Sequence, residues 1–307
     1  MYSKVRRSKK YISRLCEFIR VEYQIVPVAL TPAKRGFYGE TWQLEAANKN
    51  YFVKLDYSPH KKIYKRSFPV IEHLCKNGIN FISRIVNNAN GELCTQFESA
   101  VLGVFEWIDG ENMETDATKI PEYNMLAKVY TIPSGDIPIP HEDFSDKNAD
   151  KFFKQWKALN DKQLLPMLEK NRTKIEHRAE KLKKFAKLCQ NDTSGFVITH
   201  GDAGGNLMVS GDKYYIVDWD YPLLAPPERD AWVMCSRDWA RDAFQNSLRQ
   251  NGIEHTLRPE RLAYYCYDYF FFYLTAFLDA STQADVVEEY IDGWIEGSFE
   301  YADKIKV

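Results

Sequence analysis

The sequence predicts an α+β protein, with an antiparallel sheet and one helix in its first part and mainly helices in its second. Between residues 26 and 108, short β-branched and aromatic runs alternate with turn signals. After Gly110 the pattern becomes helical and is interrupted by a proline-rich connector at 132–140. The 307 residues, 45% of them apolar, suffice for one large domain or two lobes. We therefore divide the chain into 1–108 and 109–307.

The first part contains six predicted strands and one predicted helix. The strands are 26–31, 41–46, 51–56, 82–86, 92–97 and 100–106. Asn90 and Gly91 tolerate positive φ and predict a tight turn. The helix is predicted to begin after Ser67 as N-cap, with Pro69 in its first turn, and to end at Gly78.

Composition and the N-terminal residues disfavour several classes of function. The chain carries 41 basic and 43 acidic residues, so its net charge gives no support for a nucleic-acid binder. Leu15, Phe18 and Ile19 share one face of a basic N-terminal helix, which we interpret as solvated; a membrane-surface anchor is the alternative, and the apolar face is short for one. We expect a cytoplasmic monomer without a membrane segment, since even the apolar run 264–278 is interrupted by Asp268 and is too short to span a bilayer.

The second part is predicted to contain a long charged helical stretch at 146–190 and three short strands. These strands are 196–200, 207–209 and 214–217, too brief to form a domain but suited to carrying loops. Six scattered cysteines show no metal-ligand spacing and are expected to be reduced.

The loops between these strands carry two carboxylates and an amide. Residues 200–207 read H-G-D-A-G-G-N-L, and 216–220 read I-V-D-W-D. Phosphoryl transfer needs a group that orients a hydroxyl and accepts its proton, for which Asp202 is suited. It also needs oxygen ligands for Mg²⁺, for which Asn206 and Asp218 are suited. An aspartate and an asparagine in a glycine-rich loop can form an ordinary turn, but the joint pattern is far more specific.

The run 198–233 resembles the core of the aminoglycoside phosphotransferase family, and within it the spectinomycin phosphotransferase branch. The likeness lies in the segments V-D-W-D at 217–220, L-L-A-P at 223–226 and E-R-D at 228–230. The resemblance implies a protein-kinase-like two-lobed fold, ATP with Mg²⁺ as donor, and a small, cationic hydroxyl acceptor. It makes Asp202 the catalytic base, Asn206 and Asp218 the Mg²⁺ ligands, and Asp230 a carboxylate that braces the catalytic loop.

The same resemblance assigns nucleotide contacts in the first part of the chain. It makes Lys54 the phosphate-binding lysine and Glu72 the carboxylate that holds it, whereas each residue alone reads as an ordinary exposed side chain. The nucleotide loop would contain Gly36 and Gly39, although the G-x-G-x-x-G spacing of protein kinases is absent. The hinge at about 106–110 would bind adenine through the backbone of Glu106 and Ile108.

The acceptor is the least determined part of the prediction. Asp220, Asp268 and Asp279 are candidates to bind its amines, because acidic side chains pair with cations in a partly desolvated cleft. An aminoglycoside or aminocyclitol such as spectinomycin is the favoured acceptor. The alternatives are a metabolic kinase of the same fold, acting on choline, homoserine, a methylthio-sugar or a fructosamine, and a nucleotide-binding pseudokinase. The absence of H-R-D, D-F-G and A-P-E motifs disfavours a protein kinase.

Overall fold

The computed structural model describes residues 7–33, 39–57, 61–280, 282–293 and 296–306. These residues form two compact units. The first comprises 1–140 and 200–223, and the second comprises 141–199 and 224–307. These units differ from the predicted division at 108. The helix after the hinge and the loops at 200–223 group with the N-terminal sheet. The predicted lobe boundary at 108 stays a prediction.

An antiparallel sheet of six strands dominates the first unit, as the sequence predicts. The strands are β1 (Pro27–Pro32), β2 (Glu40–Ala46), β3 (Asn50–Asp56), β4 (Ile85–Val86), β5 (Thr95–Phe97) and β6 (Ala100–Glu106). Their order is β1-β2-β3-β6-β4, with β5 also paired to β6. β4 and β5 are shorter than predicted, because the residues before them, 82–84 and 92–94, lie in bends and irregular backbone.

Helix α1 (Lys9–Tyr23) covers one face of this sheet. The Ser8 side chain caps it by accepting the backbone N–H of Tyr11 at 3.2 Å. Leu15 and Ile19 are fully buried in the same core cluster as the strands β1, β2, β3 and β6. The apolar face predicted from the sequence is therefore part of the sheet core. The interpretation of this helix as solvated holds only for its polar face, which carries the exposed Arg14 and Glu17.

Helix α2 (Lys61–Lys76) begins earlier than predicted. The prediction that Ser67 caps it is wrong: Ser67 lies inside the helix and is buried. Tyr64 and Phe68 are spaced four residues apart and both are buried, so packing of this face compensates the hydrogen bond lost at Pro69. Gly103 of β6 permits the contact, because a Cβ there would lie 2.5 Å from the Phe68 ring.

The C-terminal end of α2 is as predicted. Gly78 has a φ of +91°, and the N–H of Ile79 donates to the Leu74 carbonyl at 3.0 Å. This is the Schellman arrangement that a glycine after a helix favours.

A second, smaller sheet completes the first unit, together with α3 (Asp116–Tyr130). Its strands β7 (Glu111–Asn112), β9 (Leu207–Ser210) and β10 (Lys213–Ile216) have the order β10-β9-β7. The sequence predicted β9 and β10 but not β7, because β7 is two exposed polar residues without a strand pattern.

The second unit is mainly helical and contains one two-stranded sheet, β8 (Val197–Thr199) with β11 (Leu223–Ala225). Its helices are α4 (Lys147–Ala158), α5 (Leu164–Lys170), α6 (Arg172–Cys189), α7 (Glu228–Ala231), α8 (Asp238–Gln250), α9 (Pro259–Asp279), α10 (Ala284–Gly293) and α11 (Glu296–Asp303). The buried helix α9 packs against α4, α6 and α11. The predicted stretch 146–190 is helical but consists of three helices. Within the described ranges, no helix has both the length and the apolarity to cross a membrane, and all six cysteines are unpaired.

Candidate active site

The loop at 200–206 is held by the side chain of His200, which is almost fully buried. Its Nδ1 accepts the backbone N–H of Asp202 at 3.1 Å. The proton therefore lies on Nε2, which donates to the Val217 carbonyl at 2.9 Å. The imidazole thus ties the start of the loop to the segment that carries Asp218.

Asp202 and Asn206 lie together within this loop. The Asn206 side-chain amide donates to the Asp202 carbonyl at 2.6 Å and to its carboxylate Oδ2 at 3.4 Å. Asp202 is exposed. Its carboxylate is therefore accessible to a hydroxyl group, as general base chemistry requires.

The hairpin of β9 and β10 brings Asp218 next to Asn206. Leu207 pairs with Ile216, and the N–H of Val217 donates to the Asn206 carbonyl at 3.0 Å. Because this antiparallel register continues by one residue, the two predicted Mg²⁺ ligands lie at the same end of the hairpin. Asp218 has a φ of +65°, a backbone strain of the kind that clusters at functional sites.

Lys54 of β3 forms ion pairs with two carboxylates from this region. Its Nζ lies 2.5 Å from Asp218 Oδ1 and 2.6 Å from Asp220 Oδ2. The lysine side chain is only 10% exposed, against 46% for Asp218 and 22% for Asp220. Burial alone would lower the pKa of the Lys54 ammonium, but the charges of Asp218 and Asp220 hold that pKa well above its usual value.

The two carboxylates differ in their ionisation. Burial opposes ionisation of Asp218, but the Lys54 ammonium outweighs it and lowers the pKa of Asp218. Burial, together with the neighbouring charge of Asp218, raises the pKa of Asp220 to about 7. Asp218 is accordingly the charged member of the pair, and Asp220 is the one that can take up a proton.

Glu72, the predicted partner of Lys54, has a different partner. Its carboxylate lies 2.9 Å from Lys76 Nζ, one helical turn further along α2. Among the ion pairs of the described residues, none joins Glu72 to Lys54. The face of α2 close to Lys54 carries Tyr64 instead, whose ring centroid lies 5.5 Å from Lys54 Nζ. The sequence contains no local signal for this contact, because an aromatic residue on a buried helix face normally indicates only core packing.

The predicted nucleotide loop is described only in part. Gly36 lies outside the described residues. Gly39 has a φ of +71°, and a Cβ there would overlap the Leu55 carbonyl oxygen, so this position requires glycine. At the predicted hinge, the Glu106 carbonyl accepts the Ser83 hydroxyl at 2.7 Å and the Ile108 carbonyl accepts the Gly110 N–H at 3.1 Å. The adenine contacts of these residues stay a prediction.

Asp268 lies on α9 in the second unit and is half-buried. Both of its oxygens accept hydrogen bonds from the Asn148 side chain at 2.9 Å. Burial, reinforced by the charge of Glu142, raises the pKa of Asp268 to about 8. Asp279 is exposed and accepts a hydrogen bond from Gln155. Asp230 lies in α7, and its bracing role stays a prediction.

Comparison with known proteins shows the family. Residues 29–270 match the model of the phosphotransferase enzyme family. The chain belongs to this family. No curated protein sequence matches it significantly.

Solved structures of phosphotransferases share the family fold with this chain. Spectinomycin phosphotransferase, solved with ADP and spectinomycin, superposes with a TM-score of 0.76 at 20% identity, covering 94% of this chain and 98% of that one. Choline kinase from Streptococcus pneumoniae superposes with a TM-score of 0.65 at 13% identity, covering 97% and 100%. An amicoumacin kinase, solved with AMP-PNP and Ca²⁺, also has a TM-score of 0.65 at 13% identity, covering 97% and 96%. The protein-kinase-like fold is therefore confirmed.

The donor set of this family member fits a hard divalent cation. Magnesium in kinases is held by one or two protein oxygen ligands together with substrate phosphates. Asn206 and Asp218 supply one amide and one carboxylate at the same end of the hairpin. No group of three or more His, Cys, Asp or Glu side chains suited to a metal occurs in the part of the chain that the structure describes. The oxygen donors present suit a magnesium ion shared with a nucleotide.

Proposed function

We propose that this chain transfers the γ-phosphoryl group of ATP to a hydroxyl of a small cationic molecule in the cytoplasm. Asp202 is the catalytic base, Asn206 and Asp218 hold Mg²⁺, and Lys54 binds the phosphates. The observation that carries the proposal is the ion-pairing of Lys54 with Asp218, at 2.5 Å, beside the loop that bears Asp202 and Asn206. Membership of a phosphotransferase family supports it.

The proposed reaction uses these groups in one displacement. The acceptor oxygen attacks the γ-phosphorus, the bond from the γ-phosphorus to the β–γ bridging oxygen breaks, and ADP leaves with that electron pair. The hydroxyl proton passes to the Asp202 carboxylate, which is exposed and whose Oδ2 lies 3.4 Å from the Asn206 side-chain amide. Bound Mg²⁺ neutralises negative charge on the phosphate oxygens.

Lys54 contributes a permanent positive charge to the proposed phosphate site. Because Asp218 and Asp220 keep its pKa well above the usual value, the ammonium stays charged at every physiological pH. Gly39 and the adjoining loop, including Gly36, would bring backbone N–H groups to the phosphates. The backbone of Glu106 and Ile108 would bind the adenine edge. We assign no nucleotide contact to Glu72, because its carboxylate pairs with Lys76.

We propose an aminoglycoside or aminocyclitol, such as spectinomycin, as the acceptor. Two carboxylates support a cationic acceptor. Asp220 and Asp268 both have pKa values raised by burial, to about 7 and about 8, so an approaching ammonium group would favour the charged form of each. The structural likeness to spectinomycin phosphotransferase supports spectinomycin in particular among these antibiotics.

A metabolic kinase acting on choline is the second candidate. It is favoured by the fold shared with choline kinase over 97% of this chain. Choline is also a cationic alcohol, so the same carboxylates would suit it. An acceptor screen separates the two candidates.

The test is ADP release by the purified protein with ATP and Mg²⁺. The acceptor panel contains spectinomycin, several aminoglycosides, choline, homoserine and sugar alcohols. We expect turnover with an aminocyclitol or aminoglycoside and none with the Asp202→Ala variant. Turnover with choline alone would replace the antibiotic proposal and keep the mechanism. No ADP release with any acceptor, although the protein binds ATP, would refute the kinase proposal and favour a nucleotide-binding pseudokinase.

A further inference from the structure

The segment that follows the predicted hinge lies directly against the catalytic loop. Strand β7 pairs with β9, with Asn112 opposite Met208, and the N–H of Met113 donates to the Leu207 carbonyl at 3.1 Å. At the start of the segment, a Cβ on Gly110 would lie 2.7 Å from the Val209 carbonyl oxygen. The backbones of the two segments therefore lie so close at this point that a residue with a Cβ at position 110 would force its neighbours to shift.

The side chain of Asn112 reaches beyond this strand pairing into the loop. Its Nδ2 donates to the Gly205 carbonyl at 2.6 Å. Gly205 immediately precedes Asn206, the amide that the proposed function assigns to Mg²⁺. Both residues belong to the first unit, although they are 93 positions apart in the sequence.

The turn that carries Asn206 has two glycines at its centre. Asn206 donates its N–H to the Ala203 carbonyl at 3.0 Å, which closes a turn with Gly204 and Gly205 at its centre. Gly205 has a φ of +88°, as the third position of a type II turn requires. Two successive glycines restrict the backbone little, so local sequence alone does not fix the direction of the Asn206 side chain.

The side chain of Glu114 lies within van der Waals contact distance of the turn. A Cβ on either Gly204 or Gly205 would lie 3.5 Å from a carboxylate oxygen of Glu114. Glu114 is itself held by Lys119, whose Nζ lies 2.6 Å from Glu114 Oε1. The turn is therefore bounded by Glu114 and held through its carbonyl by Asn112.

We propose that Asn112 is a positioning residue for Asn206. By fixing the Gly205 carbonyl it selects one conformation of the glycine turn. In that conformation the Asn206 side chain donates to Asp202, and the Asn206 carbonyl accepts the N–H of Val217, the residue before Asp218. This inference rests on the proposed function, since it takes Asn206 as a Mg²⁺ ligand. Asn112 would act through the Gly205 carbonyl, to which it donates.

The experiment compares the affinity for AMP-PNP with Mg²⁺ and with EDTA, measured by isothermal titration calorimetry. This readout needs no acceptor and no turnover. Asn112→Ala removes the hydrogen bond without adding charge. Asn77→Ala is the matched control, because Asn77 is also exposed and donates one side-chain hydrogen bond, to the His73 carbonyl at 2.9 Å.

We expect Mg²⁺ to tighten AMP-PNP binding by the wild-type protein. Asn112→Ala should reduce that Mg²⁺-dependent gain about 2- to 10-fold, the range for one hydrogen bond. Its affinity in EDTA and its Tm should match those of Asn77→Ala. In an Asn206→Ala background, Asn112→Ala should have no further effect, because the positioned side chain is already absent.

Three results would overturn the inference. The first is an undiminished Mg²⁺-dependent gain in Asn112→Ala. The second is an equal loss of affinity in EDTA and Mg²⁺, which would indicate a general structural role. The third is an additive loss in the double variant. A wild-type protein that binds no AMP-PNP in either condition would refute the proposed function itself, and this result is distinguishable because it precedes any substitution.

Discussion

Lys54 and Asp218 are 164 positions apart in the sequence, and their charged atoms lie 2.5 Å apart in the structure. Lys54 is buried in β3, so its ammonium needs an anionic partner. Asp218 provides it from the end of the β9–β10 hairpin. The pair joins the predicted phosphate-binding lysine to the predicted metal ligand.

Replacement of Lys54 tests this relationship. We expect Lys54→Met to lower kcat/KM for ATP at least 100-fold, because the phosphates lose their positively charged partner. Steady-state ADP release at limiting ATP measures it. Lys128→Met, an exposed lysine of α3, is the control and should stay within about 2-fold of the wild type. A normal rate at limiting ATP in Lys54→Met would contradict the assignment.

Replacement of Asp202 tests the catalytic base. We expect Asp202→Ala to lower kcat by about 10²- to 10⁴-fold and to leave the Tm nearly unchanged, because an exposed carboxylate contributes little to stability. Asp212→Ala, an exposed aspartate in the turn between β9 and β10, should keep full activity. Comparable activity of the two variants would rule out Asp202 as the base.

The family resemblance and the structure give Glu72 different partners: the resemblance implies Lys54, and the structure shows Lys76. Since Glu72 pairs with Lys76 on a half-exposed helix face, we expect Glu72→Gln to change stability by about 0–1 kcal/mol and kcat/KM for ATP by less than about 2-fold. The measurement is thermal unfolding together with ATP-dependent kinetics. A large loss of ATP affinity would mean instead that Glu72 holds Lys54 during catalysis, as the resemblance implies.

A buried ion pair in α3 predicts a large stability effect. Lys119 and Glu122 are each about 3% exposed, and their charged atoms are 3.0 Å apart. Lys119→Met should destabilise the protein by about 3–5 kcal/mol, because it leaves the Glu122 carboxylate buried without its cation. Urea unfolding measures the loss. The double variant Lys119→Met/Glu122→Gln should recover part of it, and equal stability of the single and double variants would contradict this explanation.

The raised pKa of Asp268 predicts that the stability of the protein depends on pH. Its pKa is raised from 3.8 to about 8, so between these values the folded state binds a proton that the unfolded state does not. Stability from this group is therefore lost as pH rises from about 4 to about 8. Asp268→Asn, which stays neutral, should gain Tm relative to the wild type, and more at pH 8 than at pH 5.

The measurement is a series of unfolding curves between pH 5 and pH 8. The groups that set the Asp268 pKa are Glu142, Asp143 and Arg229, with the hydrogen bond from Asn148. They are unchanged in Asp268→Asn, so the difference isolates the carboxyl group itself. A Tm difference independent of pH would show that Asp268 ionises normally.

The sequence alone determined the elements whose signals are local. The bounds of β6 were predicted as 100–106 and are the same in the structure, because an apolar run between turn signals specifies a buried strand. The loop with Asp202 and Asn206, and the segment with Asp218, were singled out because their residue types at this spacing predict phosphoryl-transfer chemistry. The phosphotransferase family could be recognised from the same residues.

Only the tertiary structure decided which distant residues meet. The partners of Lys54 are Asp218 and Asp220, and the carbonyl bound by Asn112 belongs to Gly205. These contacts depend on sheet register and on packing between segments far apart in the chain, which local periodicity does not encode. The early start of α2 has the same cause: buried contacts of its apolar face override the later helix start that Ser67 and Pro69 suggest.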